Sequence, residues 1–318
     1  MPYSFTTGEG QGAKAMELLV SIYDQFETDF YEVLRPELKW KEVIPEESIK
    51  YDANPGAKNY GYRSRDFRGM GQFVRGTANN VPRVALGVDQ VVIPMLFASV
   101  GSEVSNGDAM EYEYGMASSL SKDLSEVMKK AAEYHVERCF FFGDDAAGFL
   151  PFLDYPTATK ILGTAWTGTD STVWIQQIFD AIAAQYTGTK TVHIADEIIL
   201  PPTLAAKLSR PTVVGSTPLA VNAWEYLQTN SLYSTLNNGK PLKISVLRYL
   251  DGNGVGGSHR IILRDSKSEN MVFPFPVPYM LQQPVPIAGG AFTEALYKFG
   301  SFNMRYPKSM YYLDIPTS

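Results

Sequence analysis

The stretch YHVERCFFFGDDAAGFLPFLDYP, residues 134–156, begins as a helix and then breaks at a glycine. It closes a helix that the pattern predicts over residues 116–141, which would be roughly 39 Å long at about 1.5 Å per residue. Gly143 is placed to take the left-handed conformation that commonly follows the last helical turn. An enzyme could use the adjacent Asp144 and Asp145, whereas a structural protein could use the helix as a beam, so the regions on either side decide between them.

Two faces are expected on this long helix. Residues at three- and four-residue steps predict one buried stripe, which consists of Met116, Leu120, Leu124, Val127, Ala131, His135 and Cys139. The charged residues are expected largely on the opposite side, facing solvent; they are Lys122, Glu126, Lys129, Lys130, Glu133 and Glu137.

Composition is typical of a folded protein without a membrane span. The chain has 318 residues, 45% of them hydrophobic and 19% charged, and a net charge of −6. No apolar run reaches the roughly 18–20 residues that cross a bilayer, and no basic stretch followed by an apolar one predicts a signal peptide. Cys139 is the only cysteine, which excludes an intrachain disulfide and a zinc site built from several cysteines, and favours a reducing cytoplasm.

Charge is distributed unevenly along the chain. Residues 1–50 hold ten Asp and Glu against five Lys and Arg, whereas residues 51–90 hold six Lys and Arg against three Asp. These segments are either two solvated faces or two complementary surfaces that meet between chains. The net negative charge argues against nucleic-acid binding as the main activity.

The first part of the chain predicts a helix followed by a large two-stranded excursion. Periodicity and composition favour, in chain order, a helix over residues 11–34, a strand over 38–44, an extended arm over 51–82, and strands over 91–100 and 110–114. Pro94 places its strand at an edge or a bulge.

The second part predicts a mixed α+β module at about residues 172–285, with the remainder of the chain forming another. The helix over residues 172–186 is expected to turn Val173, Ile178, Phe179 and Ile182 inward. The elements that follow are a strand over 191–199, a helix opened by Pro201 and Pro202, a helix over 218–229, a hairpin of 244–250 with 260–263, and strands over 295–299 and 302–315, the last broken at Pro307.

Two motifs suggest chemistry and are weak. Residues 251–257, DGNGVGG, contain a formal G-x-G-x-x-G, but a strand pattern follows where the dinucleotide fingerprint needs a helix, so a flexible hairpin is favoured. Asp144 and Asp145 follow a helix C-terminus, where the helix dipole disfavours carboxylates, and a solvated loop is expected.

Histidine and cysteine offer no stronger site. His135, His193 and His259 are far apart in the sequence and match no metal-site spacing. Cys139 shares the predicted buried stripe and has no evident activating partner. The sequence therefore predicts no catalytic constellation, and we expect no enzyme activity, no cofactor and no metal.

The order of the parts is more specific than any motif. An acidic helical arm, a long basic hairpin, a long amphipathic helix, a Gly-Phe-Leu break, an α/β module and returning strands resemble the major capsid protein of tailed phages, with the Hong Kong 97 fold. The resemblance covers nearly the whole chain. Its most telling stretches are YRSRDFRGMGQFVRGTANNVPRVALGVDQVVIPM (62–95), the long helix running into FFGDDAAGFLPFLDYP, and GSFNMRYPKSMYYLDI (300–315).

The resemblance implies an α+β, Hong Kong 97-like capsid fold. Its parts are an N-arm at residues 1–47, an E-loop with flanking strands at 48–115, a P domain with its spine helix at 116–171, an A domain at 172–285 and P-domain return strands at 286–318. The quoted break is then the turn out of the spine helix, which Phe149, Leu150, Phe152 and Leu153 seal to the core. No coiled coil precedes the arm and no self-crosslinking residues match, so neither a fused scaffolding domain nor covalent crosslinking is expected.

The function implied is a structural, non-enzymatic subunit of an icosahedral capsid. Such subunits form pentamers and hexamers that enclose double-stranded DNA without sequence-specific binding, together with a scaffolding protein, a portal and a decoration protein. The subunit would be made and assembled in the host bacterial cytoplasm, with no membrane involved, and would end in the virion. One alternative is an encapsulin-type shell around a cargo enzyme, and another is a polysaccharide-acting enzyme with Asp144 or Asp145 as the acid.

The E-loop is expected to contact a neighbouring subunit through charge. Its candidate contact residues are Arg63, Arg65, Phe67, Arg68, Met70, Phe73 and Arg75. Their acidic counterparts are Glu27, Glu32, Glu42 and Glu46, because the planar fork of arginine suits carboxylates better than lysine does. Residues 51–90 lack a core-forming stripe, so they should be highly exposed in a single chain.

Overall fold

The structure is a computed structural model that describes residues 36–68, 85–107, 109–110, 120–167, 171–214 and 217–317. The helix expected over residues 11–34 lies outside these residues. The α-helices of the described part are α1 (Trp40–Val43), α2 (Leu120–Phe142), α3 (Ser171–Gly188), α4 (Pro202–Leu208), α5 (Ala223–Asn230) and α6 (Leu232–Leu236).

The strands lie between these helices and, from Lys243 onward, after the last of them. They are β1 (Ile49–Lys50), β2 (Asn59–Arg68), β3 (Ala85–Ser105), β4 (Thr159–Leu162), β5 (Glu197–Leu200), β6 (Pro211–Val214), β7 (Thr217–Asn222), β8 (Lys243–Val246), β9 (His259–Arg264), β10 (Met271–Pro274), β11 (Val277–Leu281), β12 (Val285–Ile287), β13 (Gly290–Gly300), β14 (Asn303–Met304) and β15 (Met310–Ile315). The sheets are β1-β10-β14, β11-β13-β3-β2 with β12 also on β13, β4-β15-β9-β5-β8, and the ladder β6-β7.

Strand β3 is 21 residues long and changes its partner at Pro94. Residues 85–94 pair antiparallel with β2, and residues 95–105 pair antiparallel with β13. The predicted two-stranded excursion is therefore confirmed as the hairpin of β2 and β3. Pro94, expected at an edge or a bulge, lies where one pairing ends and the other begins, so its missing N–H interrupts neither ladder.

Helix α2 confirms the predicted long helix but not its predicted buried face. Met128, Ala132, Val136 and Phe140 are buried, four residues apart, whereas Val127 is exposed. Ala131 and His135 are also exposed, so of the predicted stripe only Cys139 is fully buried among the described residues. The true stripe is offset by one residue, or about 100° around the helix. Two neighbouring rows of small and apolar residues along α2 both follow the helical period, so the sequence pattern fits either row as the buried one. Only packing against distant residues decides between them.

The break after α2 is confirmed and has a steric cause. Gly143 has φ of 71°, and a Cβ there would lie 2.5 Å from the Phe149 carbonyl oxygen. The chain turns back so that the N–H groups of Phe152 and Leu153 donate to the carbonyl oxygens of Phe140 and Phe141, at 3.0 and 3.1 Å. These bonds satisfy carbonyl groups that the end of a helix leaves unpaired. The returning chain therefore stabilises the last turn of α2.

A first apolar cluster packs around this turn. The ring of Phe140 lies 4.9 to 5.2 Å from those of Phe141, Phe152 and Phe302. Phe149, Phe152 and Leu153 are buried here with residues of β10, β13 and β15, and Leu150 packs against them. The predicted sealing of the turn to the core is confirmed.

A second cluster surrounds α3. This helix confirms the prediction over residues 172–186, and Ile178 and Ile182 are buried as expected. Trp174 is buried where Val173 was expected, and Val173 is exposed. Phe179 is only partly buried. The indole of Trp174 stacks on that of Trp166, with ring centres 5.4 Å apart. The buried side of the helix therefore includes Trp174 in place of its neighbour Val173.

The sheet β4-β15-β9-β5-β8 lies between the two clusters. Alternate residues of its central strands point to opposite sides, so that Ile262 and Tyr312 join the first cluster while Ile261 and Leu313 join the second. Buried ion pairs run through this sheet. Arg260 donates to Asp314 at 2.7 and 2.8 Å.

One predicted element in the first part of the chain was wrong, and a second is described only at its first residue. The strand expected over residues 38–44 is the short helix α1, because Trp40 and Val43, three residues apart, lie on one buried side of a helical turn, whereas a strand would point them to opposite faces. The strand expected over residues 110–114 is helical at residues 109–110, and residues 111–114 lie outside the described part.

Three predictions in the second part also need correction. The strand expected over residues 191–199 begins only at Glu197. The helix expected over residues 218–229 begins as β7 and turns helical at Ala223. The hairpin expected from 244–250 and 260–263 does not form, because β5 lies between β8 and β9 in the sheet. Strand order depends on pairing with distant segments, which local patterns do not encode.

Candidate subunit-contact surfaces

The long hairpin, defined here as residues 59–68 and 85–94, is ten residue pairs long. Asn59 lies opposite Pro94 at its base and Arg68 opposite Ala85 at its far end. Leu86, Val88 and Val92 are 65%, 52% and 53% exposed. The expected exposure of residues 51–90 in a single chain is confirmed for the described ones, of which only Ala53 is buried.

The two faces of the long hairpin differ in chemistry. Residues opposite each other in an antiparallel pair point to the same face, so Arg63 lies beside Gln90 and Arg65 beside Val88. Leu86 and Val92 share that face through the alternation of β3. The cationic face of the hairpin, as we name it, therefore consists of Arg63, Arg65, Leu86, Val88 and Val92. The opposite face carries Tyr60, Tyr62, Ser64, Asp66, Asp89 and Val91.

The arginines of the cationic face have no carboxylate partner among the described residues. Arg63 and Arg65 are exposed, and the ion pairs within the described part of the chain all involve other residues. Two cations beside exposed aliphatic side chains form a surface that the described part of the chain does not complete. Such a surface is typical of an interaction site.

Side chains at its base fix the hairpin to the body. The Tyr62 hydroxyl donates to Asn303 Oδ1 at 3.0 Å, and the Arg305 guanidinium lies 5.6 Å from the Tyr62 ring centre. Burial raises the pKa of Tyr62, which keeps its hydroxyl protonated as a donor. Lys298 Nζ donates to the carbonyl oxygens of Pro55 and Ala57, both at 2.7 Å, just before β2 begins.

The structure describes only some of the other predicted contact residues. Phe67 and Arg68 lie in β2 opposite Leu86 and Ala85, and their side chains are outside the description. Met70, Phe73, Arg75, Glu27 and Glu32 lie outside the described residues. Glu42 and Glu46 are exposed, and Glu42 pairs with Lys39 Nζ at 2.9 Å within its own chain. Those of the predicted acidic and basic side chains that the structure describes are therefore not brought together within one chain.

Glu137 on α2 is a structural residue that the sequence pattern missed. It was expected on the solvent side and is 1% exposed. Its carboxylate accepts the Lys39 backbone N–H at 2.8 Å, the Tyr249 hydroxyl at 2.7 Å and Arg248 Nη2 at 3.0 Å. Nearby, Glu133 pairs with Lys41 Nζ at 3.3 Å. These two carboxylates, one turn apart, hold the segment around α1 on the long helix.

The adjacent aspartates form part of a loop and no catalytic pair. Asp144 Oδ1 accepts the backbone N–H groups of Ala146 and Ala147, at 3.0 and 3.3 Å. The Asp144 backbone also bridges to Phe149. Asp145 is exposed. Asp144 therefore holds the turn together, which is the local reason for a carboxylate beyond a helix C-terminus.

His135 and Cys139 meet across one helical turn of α2. Cys139 Sγ lies 3.4 Å from His135 Nε2, and His135 Nδ1 lies 2.7 Å from the Tyr297 hydroxyl. Burial raises the pKa of the Cys139 thiol to about 11, and the partial desolvation of the His135 ring by the side chains packed on it lowers the pKa of His135. The thiol therefore stays protonated at neutral pH and is a poor nucleophile, so the contact does not activate it.

The glycine-rich motif at residues 251–257 is a turn before strand β9. Within it the Val255 backbone N–H donates to Asp314 Oδ2 at 3.0 Å. A strand follows where a dinucleotide fingerprint needs a helix N-terminus, as predicted. Among the described residues no cluster of three or more His, Cys, Asp or Glu could hold a metal ion.

The fold defines a class of protein: a long helix beside an antiparallel sheet, a long hairpin extending from that sheet, and a second apolar cluster of helices and strands around α3. These parts make an α+β, Hong Kong 97-like fold, which solved phage capsid structures share. "The capsid of Myoviridae Phage XM1" aligns with a TM-score of 0.75 at 14% identity, covering 92% of this chain and 97% of that one. The capsid of the native GTA particle aligns with a TM-score of 0.64 at 12% identity, covering 100% of both chains. The structure for Gordonia phage Cozz aligns with a TM-score of 0.57 at 14% identity, covering 100% and 98%.

A family match makes the assignment specific. Residues 69–315, well over half of the chain, match the family described as "Major capsid protein". The chain belongs to the major capsid protein family and is a structural capsid subunit of a tailed phage. No curated protein matches the sequence. In the described residues, no helix combines the length and apolar character needed to cross a membrane.

Proposed function

We propose that this subunit forms pentamers and hexamers of an icosahedral shell that encloses the double-stranded DNA of a tailed phage. The observation that carries the proposal is the long hairpin, whose arginines and aliphatic side chains are exposed and have no partners among the described residues of the chain. In a capsid protein, the natural partner for such a surface is the next subunit.

The contact we propose joins the hairpin arginines to carboxylates of an adjacent subunit. Arg63, Arg65 and Arg68 lie within six residues of one strand. Their counterparts would be acidic residues of the neighbour's N-terminal segment or long helix, such as Glu27, Glu32, Glu42 and Glu46. Each exposed ion pair contributes only about 0–1 kcal/mol, but a closed shell repeats the contact at every subunit.

Distinct parts of the chain would have distinct roles in the shell. We propose an N-arm at residues 1–47, an E-loop at 48–115, a P domain at 116–171 with return strands at 286–318, and an A domain at 172–285. The two apolar clusters support this division, because one surrounds the end of α2 and the other surrounds α3. The sheet between them joins the two domains through β9 and β15.

Further partners follow from the same proposal. A scaffolding protein, a portal and a decoration protein would complete the particle, which would assemble in the host bacterial cytoplasm. With a net charge of −6, the subunit would confine DNA mechanically and without sequence-specific binding. Tight, salt-sensitive binding of the dissociated subunit to DNA would contradict this, because such binding reports many phosphate contacts.

Electron microscopy of the expressed protein tests the proposal directly. We expect closed shells by negative stain, and a genome inside particles purified from a phage lysate. An encapsulin-type compartment would instead contain a cargo protein, and the major capsid protein family match favours the phage shell. A purified protein that stays monomeric at high concentration, with or without scaffold, would contradict the proposal.

Charge reversal tests the contact itself. Replacing Arg63, Arg65 and Arg68 by Glu should leave the subunit folded and abolish or misdirect assembly. The matched control replaces Lys190, Lys240 and Lys308 by Glu, since these exposed lysines give the same change in charge. If the arginine variant still forms normal shells at ordinary salt, apolar contacts of Phe67, Met70 and Phe73 are the better candidates.

A further inference from the structure

A cleft with basic side chains lies at the C-terminal end of α3. Its walls are residues 188–193, where the helix ends, and residues 305–308, just before β15, and its volume is about 460 Å³. Small-molecule sites in proteins have volumes of about 300–1,000 Å³, so the size fits a small ligand. We name this cleft the basic cleft; the side chains in its lining that concern us are Lys190, Val192, His193, Arg305, Tyr306 and Lys308.

Three of these side chains bring positive charge to the basic cleft. Lys190 and Lys308 are exposed, and Arg305 is partly buried. Within the described residues none of the three forms an ion pair. Arg305 contacts only neutral groups, the Tyr62 ring and the Glu269 carbonyl oxygen. In a chain with a net charge of −6, a cleft lined by cations without carboxylate partners favours an anionic ligand.

Aromatic rings form another part of the lining. Tyr306 is 53% exposed, and its ring centre lies 5.6 Å from that of His193. His193 Nδ1 lies 3.0 Å from Asp265 Oδ2, which fixes the imidazole. The buried Asp265 carboxylate also pairs with Lys267 Nζ at 3.4 Å, so its charge is compensated outside the cleft lining. An exposed aromatic ring beside cations offers a platform on which a planar ring of the ligand can stack.

Hydrogen bonds hold both walls of the basic cleft in position. Lys190 and Thr191 have φ of 54° and 67°, a left-handed conformation that is unfavourable for residues with side chains. The Thr191 N–H donates to the Tyr186 carbonyl oxygen at 2.8 Å, which fixes this turn. The buried Gln185 side chain donates through Nε2 to the Ser309 carbonyl oxygen at 2.8 Å and so joins α3 to the segment of the other wall. A site formed in advance loses little entropy when a ligand binds.

We propose that the basic cleft binds a nucleoside phosphate. The phosphate lies among Lys190, Arg305 and Lys308, because guanidinium and ammonium groups both donate to phosphate oxygens. The base stacks on Tyr306. A free nucleotide and a nucleotide of a single strand both present this chemistry.

The inference goes beyond the proposed function. It concerns one nucleotide with an accessible base, and the bases of the double-stranded DNA that the shell encloses are stacked on one another. Formation of the shell and binding in the cleft can therefore be measured independently.

Equilibrium dialysis of dissociated, full-length subunits against deoxyadenosine monophosphate tests the proposal. We expect one nucleotide per subunit, bound less tightly as the salt concentration rises. Inorganic phosphate and deoxyadenosine each carry one half of the ligand and should bind at least about tenfold more weakly. The proposal is overturned if millimolar nucleotide does not bind, or if deoxyadenosine binds as tightly as its monophosphate.

Lysine variants test the phosphate half of the site. Lys190→Gln with Lys308→Gln should weaken the binding of deoxyadenosine monophosphate and of inorganic phosphate at least about tenfold. The matched control is Lys122→Gln with Lys240→Gln, two exposed lysines outside the cleft, which should bind as the unmodified chain does. An equal loss in the control would mean that net charge alone acts, and would overturn the proposal.

Tyr306 variants test the base half. Tyr306→Ala should weaken the binding of deoxyadenosine monophosphate about tenfold and leave that of inorganic phosphate unchanged. Tyr306→Phe keeps the ring and should bind the nucleotide normally. Circular dichroism of each variant confirms that it folds. Unchanged nucleotide binding by folded Tyr306→Ala would exclude the stacking and overturn the assignment to a nucleotide.

Longer ligands distinguish the source of the nucleotide. A single-stranded deoxyadenosine hexanucleotide that binds as tightly as the monophosphate supports the proposal with a free nucleotide as the ligand, and one that binds more tightly supports it with a strand. A duplex of the same length should bind more weakly than the strand, because its bases are stacked. Tighter binding of the duplex, or of an oligoglutamate peptide, would overturn the proposal, since the cleft would then recognise negative charge without a base.

Discussion

The turn after α2 and the long hairpin place large apolar side chains in opposite situations. Phe140, Phe141 and Phe152 are fully buried in the turn, whereas Leu86 and Val88 of the hairpin are more than half exposed. Burial of such side chains stabilises a fold by about 1.5–3 kcal/mol each, so the turn holds the subunit together. The described side chains of the hairpin bury little apolar area, so we expect them to contribute little to the subunit's own stability; in the proposed shell, a second molecule covers them.

Truncating the turn should have the largest effect on the isolated subunit. Phe152→Ala removes a ring that stacks on Phe140 at 5.1 Å and contacts Phe302 at 5.3 Å. We expect a loss of about 3–5 kcal/mol in the free energy of unfolding, measured by urea denaturation of the dissociated subunit. A loss below about 1 kcal/mol would show that the turn is not the stabilising centre.

Removing the buried carboxylate of α2 should have a smaller effect. Glu137→Ala leaves the Lys39 N–H and the Tyr249 hydroxyl without their acceptor. We expect a loss of about 1–3 kcal/mol in unfolding free energy, because buried donors without partners are costly. The matched control is Glu126→Ala, an exposed carboxylate on the same helix, which should change little. Equal effects of the two substitutions would contradict the role assigned to Glu137.

Acid should weaken the body of the subunit through Asp154. Although burial opposes it, hydrogen bonds from Lys160 and Arg260 lower the pKa of this carboxyl. Because the pKa of this carboxyl is lower in the folded state, its ionised form stabilises the fold above the unfolded-state pKa of about 3.9. This stabilisation is lost as the pH falls through the folded-state pKa. Unfolding free energy measured between about pH 5 and 2 should therefore fall less steeply in Asp154→Asn. An unchanged slope would exclude this contribution.

The hairpin substitution should have the smallest effect on folding. Val88→Ser with Val92→Ser changes two exposed side chains, so the free energy of unfolding should stay within about 0.5 kcal/mol of the unmodified value. Shell formation, measured by light scattering, should nevertheless be weaker, because the apolar part of the contact is lost. Reduced stability of the isolated subunit would mean that the hairpin packs on its own chain after all.

Elements governed by local chemistry were predicted well from the sequence. The glycine stop of α2 and the prolines that open α4 both follow from residues within a few positions of one another. Chain order was equally informative, since it supported the capsid resemblance that the family match confirmed. The exposure of the hairpin was also predictable, because its Gly- and Arg-rich sequence offers no core-forming stripe.

Features that depend on distant residues were predicted poorly. The buried seam of α2 was off by one residue, and Glu137 was expected in solvent although it accepts hydrogen bonds from residues about a hundred positions away. No periodic pattern contains such partners.

The sequence by itself determined where the long helix stops, that an extended excursion precedes it and in which order the parts follow. These depend on backbone constraints of single residues, such as the left-handed conformation at Gly143 and the missing N–H of Pro94. Only the tertiary structure decided which side of α2 is buried and that β5 separates β8 from β9. Those depend on contacts between segments far apart in the chain, whose free energies appear only once the segments have packed.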